Sequence, residues 1–167
     1  MKHKVSAKQP NCRMCFGCGL KNPMGLRGQF YELENGEVYG VFKPRKEYQS
    51  APTIVHGGVV SVILDEIIGR AMMIKRPNDF WGYTVELRIR YKKPVPIDKE
   101  IRAIGRITKE IRKQYEGEGN ILLPDGTVAV EGFGKYFRTT VGQMGFDTVE
   151  EEWKVTEAEE DPKEVEY

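Results

Sequence analysis

The pattern of hydrophobic and polar positions divides the chain into two short opening strands, one long helix and four closing strands. Between residues 59 and 74 the apolar positions recur every three or four residues, which is the spacing of one helix face. The positions on this broad arc are Val60, Ile63, Leu64, Ile67, Ile68 and Ala71. Such a helix is too apolar to lie against water, so we expect a sheet to wrap around it.

The strands before the helix form a predicted hairpin. Residues 26–33 and 37–43 have strand-forming composition, and the intervening Asn35-Gly36 is a strong signal for a tight turn. We therefore expect the domain to open with a β-hairpin.

The clearest strand covers residues 83–92, after the turn residues Pro77-Asn78-Asp79. Its residues alternate, with one face formed by Val85, Leu87, Ile89 and Tyr91. Residues 100–109, 112–123 and 127–138 indicate three further strands with turns between them. We predict that these four strands form an antiparallel meander, and hence an α+β domain in which a curved antiparallel sheet encloses one long helix.

The length of 167 residues fits one domain. We expect the protein to be soluble and cytoplasmic, with no nucleic-acid or membrane partner. The first ten residues lack a signal-like apolar stretch, and no segment reaches about 18 uninterrupted apolar residues. Charge divides the chain, since residues 147–167 hold 10 of the 25 acidic residues and 2 of the 26 basic ones. The basic remainder suits a substrate with phosphates, or is simply a solvated surface.

These patterns divide the chain into three predicted segments. Residues 1–25 form a cysteine-containing N-terminal segment, residues 26–140 the main domain, and residues 141–167 an acidic tail. From Asp147 onward the density of glutamate predicts a frayed tail or a loosely docked helix.

The candidate chemistry lies at the start of the helix, in His56-Gly57-Gly58, and at Asp65. A helix N-terminus has free N–H groups that stabilise an oxygen anion, and a carboxylate can activate water or attack a carbonyl. Asp65 is eight residues beyond Gly57, which separates them by about 12 Å along a helix. If both act on one bond, they must come from two subunits whose helices lie antiparallel.

This passage resembles the hotdog superfamily of thioesterases, especially the phenylacetate-pathway type, whose signature is HGG at the start of a long central helix with an acidic residue partway along it. The resemblance extends to Cys15-Phe16-Gly17-Cys18-Gly19, followed by Asn22-Pro23 and Gly25-Leu26, and covers about residues 12–140. It implies a hotdog fold, an acyl-CoA thioesterase, and active sites at the interface of a homodimer or a dimer of dimers.

The resemblance gives the candidate residues their expected roles. Gly57 and Gly58 would polarise the thioester carbonyl, and Asp65 would act as base or nucleophile. His56 would hold the shape of the loop, although general-base catalysis is an alternative. Ser50 stands where relatives commonly have an Asn that holds water or substrate. Ser61 precedes Asp65 by one turn and either contacts substrate or eases helix packing.

Two other groups of side chains have structural alternatives. Glu66 competes with Asp65 for the catalytic role, but its spacing to Arg70 indicates an ordinary ion pair. The basic row Arg88, Arg90, Lys92 and Lys93 would meet the phosphates of coenzyme A or form a solvent face.

The three cysteines, Cys12, Cys15 and Cys18, suit neither a disulfide framework nor a complete metal motif. They match the bacterial iron–sulfur spacing, except that Asn22 occupies the fourth ligand position. Zinc with His3 as a further ligand is an alternative. We therefore expect no metal and no cofactor.

The sequence leaves two functions open. The preferred one is acyl-CoA hydrolysis, with acyl length, aromatic preference and the choice between CoA and carrier-protein thioesters undetermined. The alternative is a non-catalytic acyl-CoA-binding or scaffold protein on the same fold.

Overall fold

The helix forms as its apolar arc predicts. A computed structural model of the chain describes residues 1–75, 81–144 and 153–167, and its one α-helix in those ranges is α1, Gly57–Arg70. A 3₁₀ turn at Ala71–Ile74 extends it, and two more occur at Lys46–Tyr48 and Val141–Met144. All six arc residues are at most 2% exposed. The apolar face of α1 is therefore the centre of the core.

Ten strands accompany the helix in the described residues. They are β1 (Lys2–Lys8), β2 (Asn11–Cys12), β3 (Gln29–Leu33), β4 (Val38–Phe42), β5 (Trp81–Tyr91), β6 (Ile101–Ile111), β7 (Gln114–Leu122), β8 (Val128–Thr139), β9 (Trp153–Lys154) and β10 (Glu164–Glu166). Eight form an antiparallel sheet in the order β10-β1-β3-β4-β6-β7-β8-β5, and β2 pairs with β9. The predicted α+β class, with an antiparallel sheet around one long helix, is confirmed.

The sheet approaches the helix most closely at β6. A Cβ atom placed on Gly105 would lie 2.3 Å from the carbonyl oxygen of Ile67, so only glycine permits this contact. The predicted hairpin is also confirmed, because β3 pairs with β4 and Gly36 adopts the positive φ of +82° that its turn requires.

The four-strand meander is partly wrong. Strands β6, β7 and β8 follow one another as predicted, but β5 pairs with β8 at the far edge and β6 pairs with β4. The proline-rich connection after β5 is anchored beneath the sheet, where Val95 is 2% exposed and its carbonyl accepts from the amide of Val55 at 2.8 Å. After this anchored connection the chain continues as β6, which lies beside β4. Strand β5 therefore remains an edge strand.

The strict alternation predicted for β5 breaks at Val85. Thr84 lies opposite Tyr136 and Glu86 opposite Lys135, so Val85 is the extra residue of a β-bulge and is 56% exposed. Leu87 and Ile89 pack against the core. The bulge places Thr84 on the same face as these two residues, which simple alternation would not.

The C-terminal end joins the sheet, so the predicted frayed tail or docked helix is wrong for the last residues. Strand β10 pairs with β1, and Val165 is 7% exposed in a second apolar cluster with Tyr31 and Leu33. Asp161 forms an ion pair with Lys8 at 2.6 Å. The predicted start of the tail at Asp147 and the turn Pro77-Asn78-Asp79 lie outside the described residues, and the division into three segments stays a prediction.

Among the described residues, no helix combines the length and the hydropathy needed to cross a membrane.

Candidate functional site

The helix N-terminus is capped by His56, which changes the roles of the two glycines. The amide of Gly58 donates to Nδ1 of His56 at 2.9 Å, and the amides of Val59 and Val60 donate to the His56 carbonyl. Within the described residues the amide of Gly57 has no acceptor. Gly57 is therefore the available N–H donor of the predicted pair, and Gly58 donates within its own chain.

The cap also constrains His56 itself. Because Nδ1 accepts the Gly58 amide, the imidazole in this arrangement carries its proton on Nε2. Neither nitrogen is then a free proton acceptor. The arrangement suits a residue that holds the loop and the helix end in place.

The Asp65 carboxylate is held from the sheet through one oxygen. Its Oδ1 accepts from Oγ1 of Thr84 at 2.8 Å and from the hydroxyl of Tyr136 at 3.1 Å. Its Oδ2 accepts no hydrogen bond from the residues that the structure describes. One oxygen is thus fixed and the other is available to substrate or water.

Tyr136 is a buried anchor for this carboxylate. Burial and the adjacent Asp65 charge raise the pKa of Tyr136, so its hydroxyl stays protonated and donates. Its ring stacks on Tyr115 with centroids 4.9 Å apart, and the Tyr115 hydroxyl donates to the carbonyl of Gly69. The tyrosine pair therefore fixes the middle of α1 to the sheet.

The helix runs antiparallel to β5, at the open edge of the sheet. The Tyr91 hydroxyl donates to the carbonyl of Gly57 at 2.8 Å, and Thr84 contacts Asp65. The candidate N–H donor and the candidate carboxylate therefore lie beside opposite ends of the same edge strand.

The two candidate serines have contacts of their own. Oγ of Ser61 donates back to the carbonyl of Gly58 at 2.6 Å, within the helix. Ser50 is exposed, and its amide donates to the carbonyl of Ile54 in the loop before the helix. Their substrate-binding roles stay predictions.

A cleft of about 310 Å³ opens beside the carboxylate. Its lining includes Asp65, Thr84 and Tyr136, and also Cys12, Cys15, Glu66, Arg70, Trp81 and Trp153. The sequence pattern did not identify Thr84 or Tyr136 as site residues. Nothing in their local pattern marks them, because Thr84 faces the helix only through the bulge and Tyr136 is 71 residues from its partner.

Glu66 is an ion-paired residue, as its spacing predicts. Its Oε1 accepts from Nε of Arg70 at 2.7 Å, and Arg70 is 5% exposed. Burial raises the pKa of Glu66, and the opposing Arg70 charge offsets only part of that shift. The other carboxylate oxygen approaches Sγ of Cys15 at 3.7 Å, so Glu66 faces the cysteine segment.

The basic row, which begins on β5 and continues just past its end, is exposed. Arg88 pairs with Glu86 at 2.9 Å and packs over the ring of Phe133, and Lys92 pairs with Glu131. These three contacts fit the solvent-face alternative, and contact with phosphates stays a prediction.

Comparison with known proteins yields one matching family model. Residues 53–130, which include the His56-Gly57-Gly58 motif and Asp65, match the model described as the thioesterase superfamily. No curated protein matches the chain.

Solved structures share the fold. A crystal structure of a thioesterase superfamily protein is 27% identical, with a TM-score of 0.66 over 75% of this chain and 60% of that one. A Bacillus halodurans protein, crystallised with CoA, is 24% identical, with a TM-score of 0.55 over 60% of this chain and 66% of the other. The Escherichia coli PaaI protein, from the phenylacetic acid degradation operon, is 12% identical, with a TM-score of 0.61 over 68% and 80%.

Proposed function

We propose that the chain is a hotdog-fold member of the thioesterase superfamily and that it hydrolyses acyl-CoA thioesters to a free acid and CoA. The CoA in the Bacillus halodurans crystal structure supports CoA as the carrier of the acyl group. The Escherichia coli PaaI protein shares the fold, and a substrate of the phenylacetate-pathway type stays a prediction.

The observation that carries the proposal is the position of the two candidate groups along β5. The Gly57 end of the helix lies at Tyr91, and Asp65 lies at Thr84. A twofold axis near Leu87 and Arg88 would place Thr84 of one subunit opposite Tyr91 of the other. The free amide of one chain would then face the carboxylate of its partner, which one helix alone cannot achieve.

The edge strand is suited to such pairing. β5 is 11 residues long and leaves one side of its backbone unpaired within the described sheet. Exposed apolar side chains lie on it and on the neighbouring β8: Tyr83, Val85, Tyr91 and Phe137, each at least 39% exposed. Antiparallel β5–β5 pairing in a homodimer would satisfy this backbone and cover these side chains. Further assembly into a dimer of dimers stays a prediction.

The chemistry follows from these two groups. The thioester carbonyl oxygen accepts from the Gly57 amide, which stabilises the negative charge that develops during attack. In the base route, Asp65 takes a proton from water, the hydroxide adds to the carbonyl, and the C–S bond breaks to release CoA as its thiolate. In the nucleophile route, Asp65 attacks the carbonyl and the C–S bond breaks to release CoA as its thiolate, and water then hydrolyses the resulting anhydride to the free acid and the Asp65 carboxylate. Both routes use the same oxygen, Oδ2.

Replacing the carboxylate tests its role. Asp65→Asn keeps the shape and one acceptor oxygen for Thr84 and Tyr136, and we expect kcat to fall by a factor of about 10² to 10⁴. The assay is free-thiol release from a panel of acyl-CoA esters. Asp98→Asn is the matched control, because Asp98 is exposed and asparagine tolerates its positive φ of 55°. Normal turnover by Asp65→Asn across the panel would reject the assignment.

A proline at Gly57, the first helical position, would remove the candidate N–H donor. Gly57→Pro deletes the N–H, proline is favoured at this position, and the extended backbone of His56 suits a residue before proline. We expect a loss of about 10² to 10³ in kcat. Gly57→Ala is the control, because it keeps the amide and its Cβ would lie an ordinary 3.5 Å from the Tyr91 hydroxyl.

Combining the two variants tests the shared site. In a purified heterodimer of Gly57→Pro and Asp65→Asn subunits, one site carries both changes and the other carries neither. We expect about half of the wild-type activity per dimer. An inactive heterodimer would show that both groups act within one chain. Saturable acyl-CoA binding by the wild type without thiol release would favour the non-catalytic binding protein.

A further inference from the structure

A cluster of three thiols and one carboxylate lies where the N-terminal segment meets α1. Ligand atoms of Cys15, Cys18 and Glu66 all lie within 4.8 Å of one another. The backbone amide of Cys12 donates to Sγ of Cys18 at 3.4 Å, which places the third cysteine beside this group. The proposed thioesterase chemistry uses none of these groups.

We propose that this cluster is a structural zinc site, with Cys12, Cys15 and Cys18 as thiolate ligands and Glu66 as the fourth ligand. Three soft thiolates select zinc over magnesium or calcium, and Cys15 and Cys18 have the C-x₂-C spacing of structural zinc sites. The fourth ligand missing from the cysteine motif comes from the helix. This proposal departs from our expectation from sequence that no metal is bound.

The separation between Cys15 and Glu66 fits tetrahedral zinc. Zn–S and Zn–O bonds of about 2.3 and 2.0 Å place a sulfur and an oxygen ligand about 3.5 Å apart. Sγ of Cys15 and Oε2 of Glu66 are 3.7 Å apart. Binding zinc between these two atoms therefore requires only a small adjustment.

The local backbone holds the cysteine segment in a tight turn. The amide of Gly19 donates to the carbonyl of Cys15 at 2.8 Å. This turn keeps the thiols of Cys15 and Cys18 together beside the Glu66 carboxylate.

The position of Glu66 is also specified by its neighbours. Arg70 holds Oε1, stacks over the ring of Phe30 at 3.9 Å and donates to the carbonyl of Pro10. This arrangement turns Oε2 toward the thiols. A Cβ on Gly17 would lie 2.6 Å from that oxygen, so glycine is needed for the carboxylate to reach the cluster. The buried guanidinium offsets part of the negative charge of the ligands.

Metal content of the full-length chain tests the proposal. Protein purified under reducing conditions without chelator should contain about one zinc per chain by elemental analysis. Cys15→Ser and Cys18→Ser should lose it. Met14→Ser is the matched control, because Met14 is 54% exposed in the same loop and should keep its zinc.

A cobalt titration keeps the proposal testable if the cysteine variants fail to fold. Wild-type protein stripped of metal should bind Co²⁺ with the visible bands of a tetrahedral site and the near-ultraviolet bands of thiolate ligands. Glu66→Gln should keep the thiolate bands, alter the visible bands and weaken zinc binding at least 10-fold. A reduced, folded wild-type chain that binds neither ion would overturn the proposal. Activity of Asp65 variants has no bearing on either result.

Discussion

Asp65 and His56 show how single side chains divide their hydrogen-bonding capacity between the fold and the site. The carboxylate gives Oδ1 to Thr84 and Tyr136, and the imidazole gives Nδ1 to the Gly58 amide. These partners satisfy part of each polar group and also fix its orientation. What remains for chemistry is one carboxylate oxygen and the Gly57 amide.

At the residue scale, Tyr136→Phe should lower kcat because the carboxylate loses a charge-assisted hydrogen bond. Such a bond contributes about 1.5–3 kcal/mol, which corresponds to a loss of about 10- to 10²-fold if it is fully used in the transition state. Tyr48→Phe is the control, because its buried hydroxyl donates to the carbonyls of Met24 and Gly25, away from Asp65. An equal fall in kcat for both variants would contradict the role of Tyr136.

His56 permits a test that separates capping from catalysis. His56→Asn should preserve both stability and kcat, since asparagine is a good N-cap residue, whereas His56→Ala should lower the free energy of unfolding by about 0.5–2 kcal/mol. Urea unfolding and thiol-release kinetics measure the two effects. A large loss of kcat in a stable His56→Asn variant would instead indicate acid–base catalysis.

At the element scale, one inserted residue determines which face of β5 carries Thr84. Val85 makes the strand one residue longer than its partner, and this turns Thr84 toward the helix. Bulges commonly redirect a side chain beside an active site. The alternation visible in the sequence therefore predicted the strand correctly. It placed Val85 on the face of Leu87 and Ile89, which is wrong.

Deleting Val85 should restore regular pairing and keep Thr84 on the face of Leu87, because the two residues are then two positions apart. We expect the deletion to keep kcat near the wild-type value, whereas Thr84→Val should lower it by the loss of one hydrogen bond to a carboxylate. Val85→Thr keeps the bulge length and serves as the control, with circular dichroism to verify folding. A folded deletion variant that loses as much kcat as Thr84→Val would contradict this account of the bulge.

At the scale of the whole molecule, the chain ends close one side of the sheet. Strand β10 covers β1, and Asp161 contacts both the Lys8 ammonium and the Tyr31 hydroxyl. Burial alone would raise the pKa of Asp161, but these donors and the amide of Ala158 bring it below its ordinary value. The ionised carboxylate therefore stabilises the docked C-terminus.

This contact predicts a pH dependence of stability. Because folding lowers the pKa of Asp161, its contribution is complete above the unfolded value of about 3.9 and is lost as pH falls through the lower folded value. Asp161→Asn should be less stable than wild type at neutral pH, and the difference should shrink below about pH 4. Urea unfolding across this range measures it. Glu164→Gln, in an exposed pair with Lys2, should show almost no difference at any pH.

Local patterns alone determined the helix and the opening hairpin. The arc from Val60 to Ala71 and the Asn35-Gly36 turn depend on neighbours within a few residues, so periodicity and turn chemistry suffice to predict them. The ion pair of Glu66 and Arg70 was predictable for the same reason. The candidate motif at residues 56–58 was visible as a motif, although its hydrogen bonds were not.

Tertiary structure decided what depends on distant parts of the chain. It placed β5 at the edge beside β8, turned Thr84 and Tyr136 onto Asp65, and brought Glu66 against Cys15, which is 51 residues away. The hydrogen bonds among these residues form because folding brings each polar group next to a donor or acceptor from a distant part of the chain. Sequence spacing carries no record of that proximity, because pairing across a sheet is set by the whole arrangement of strands.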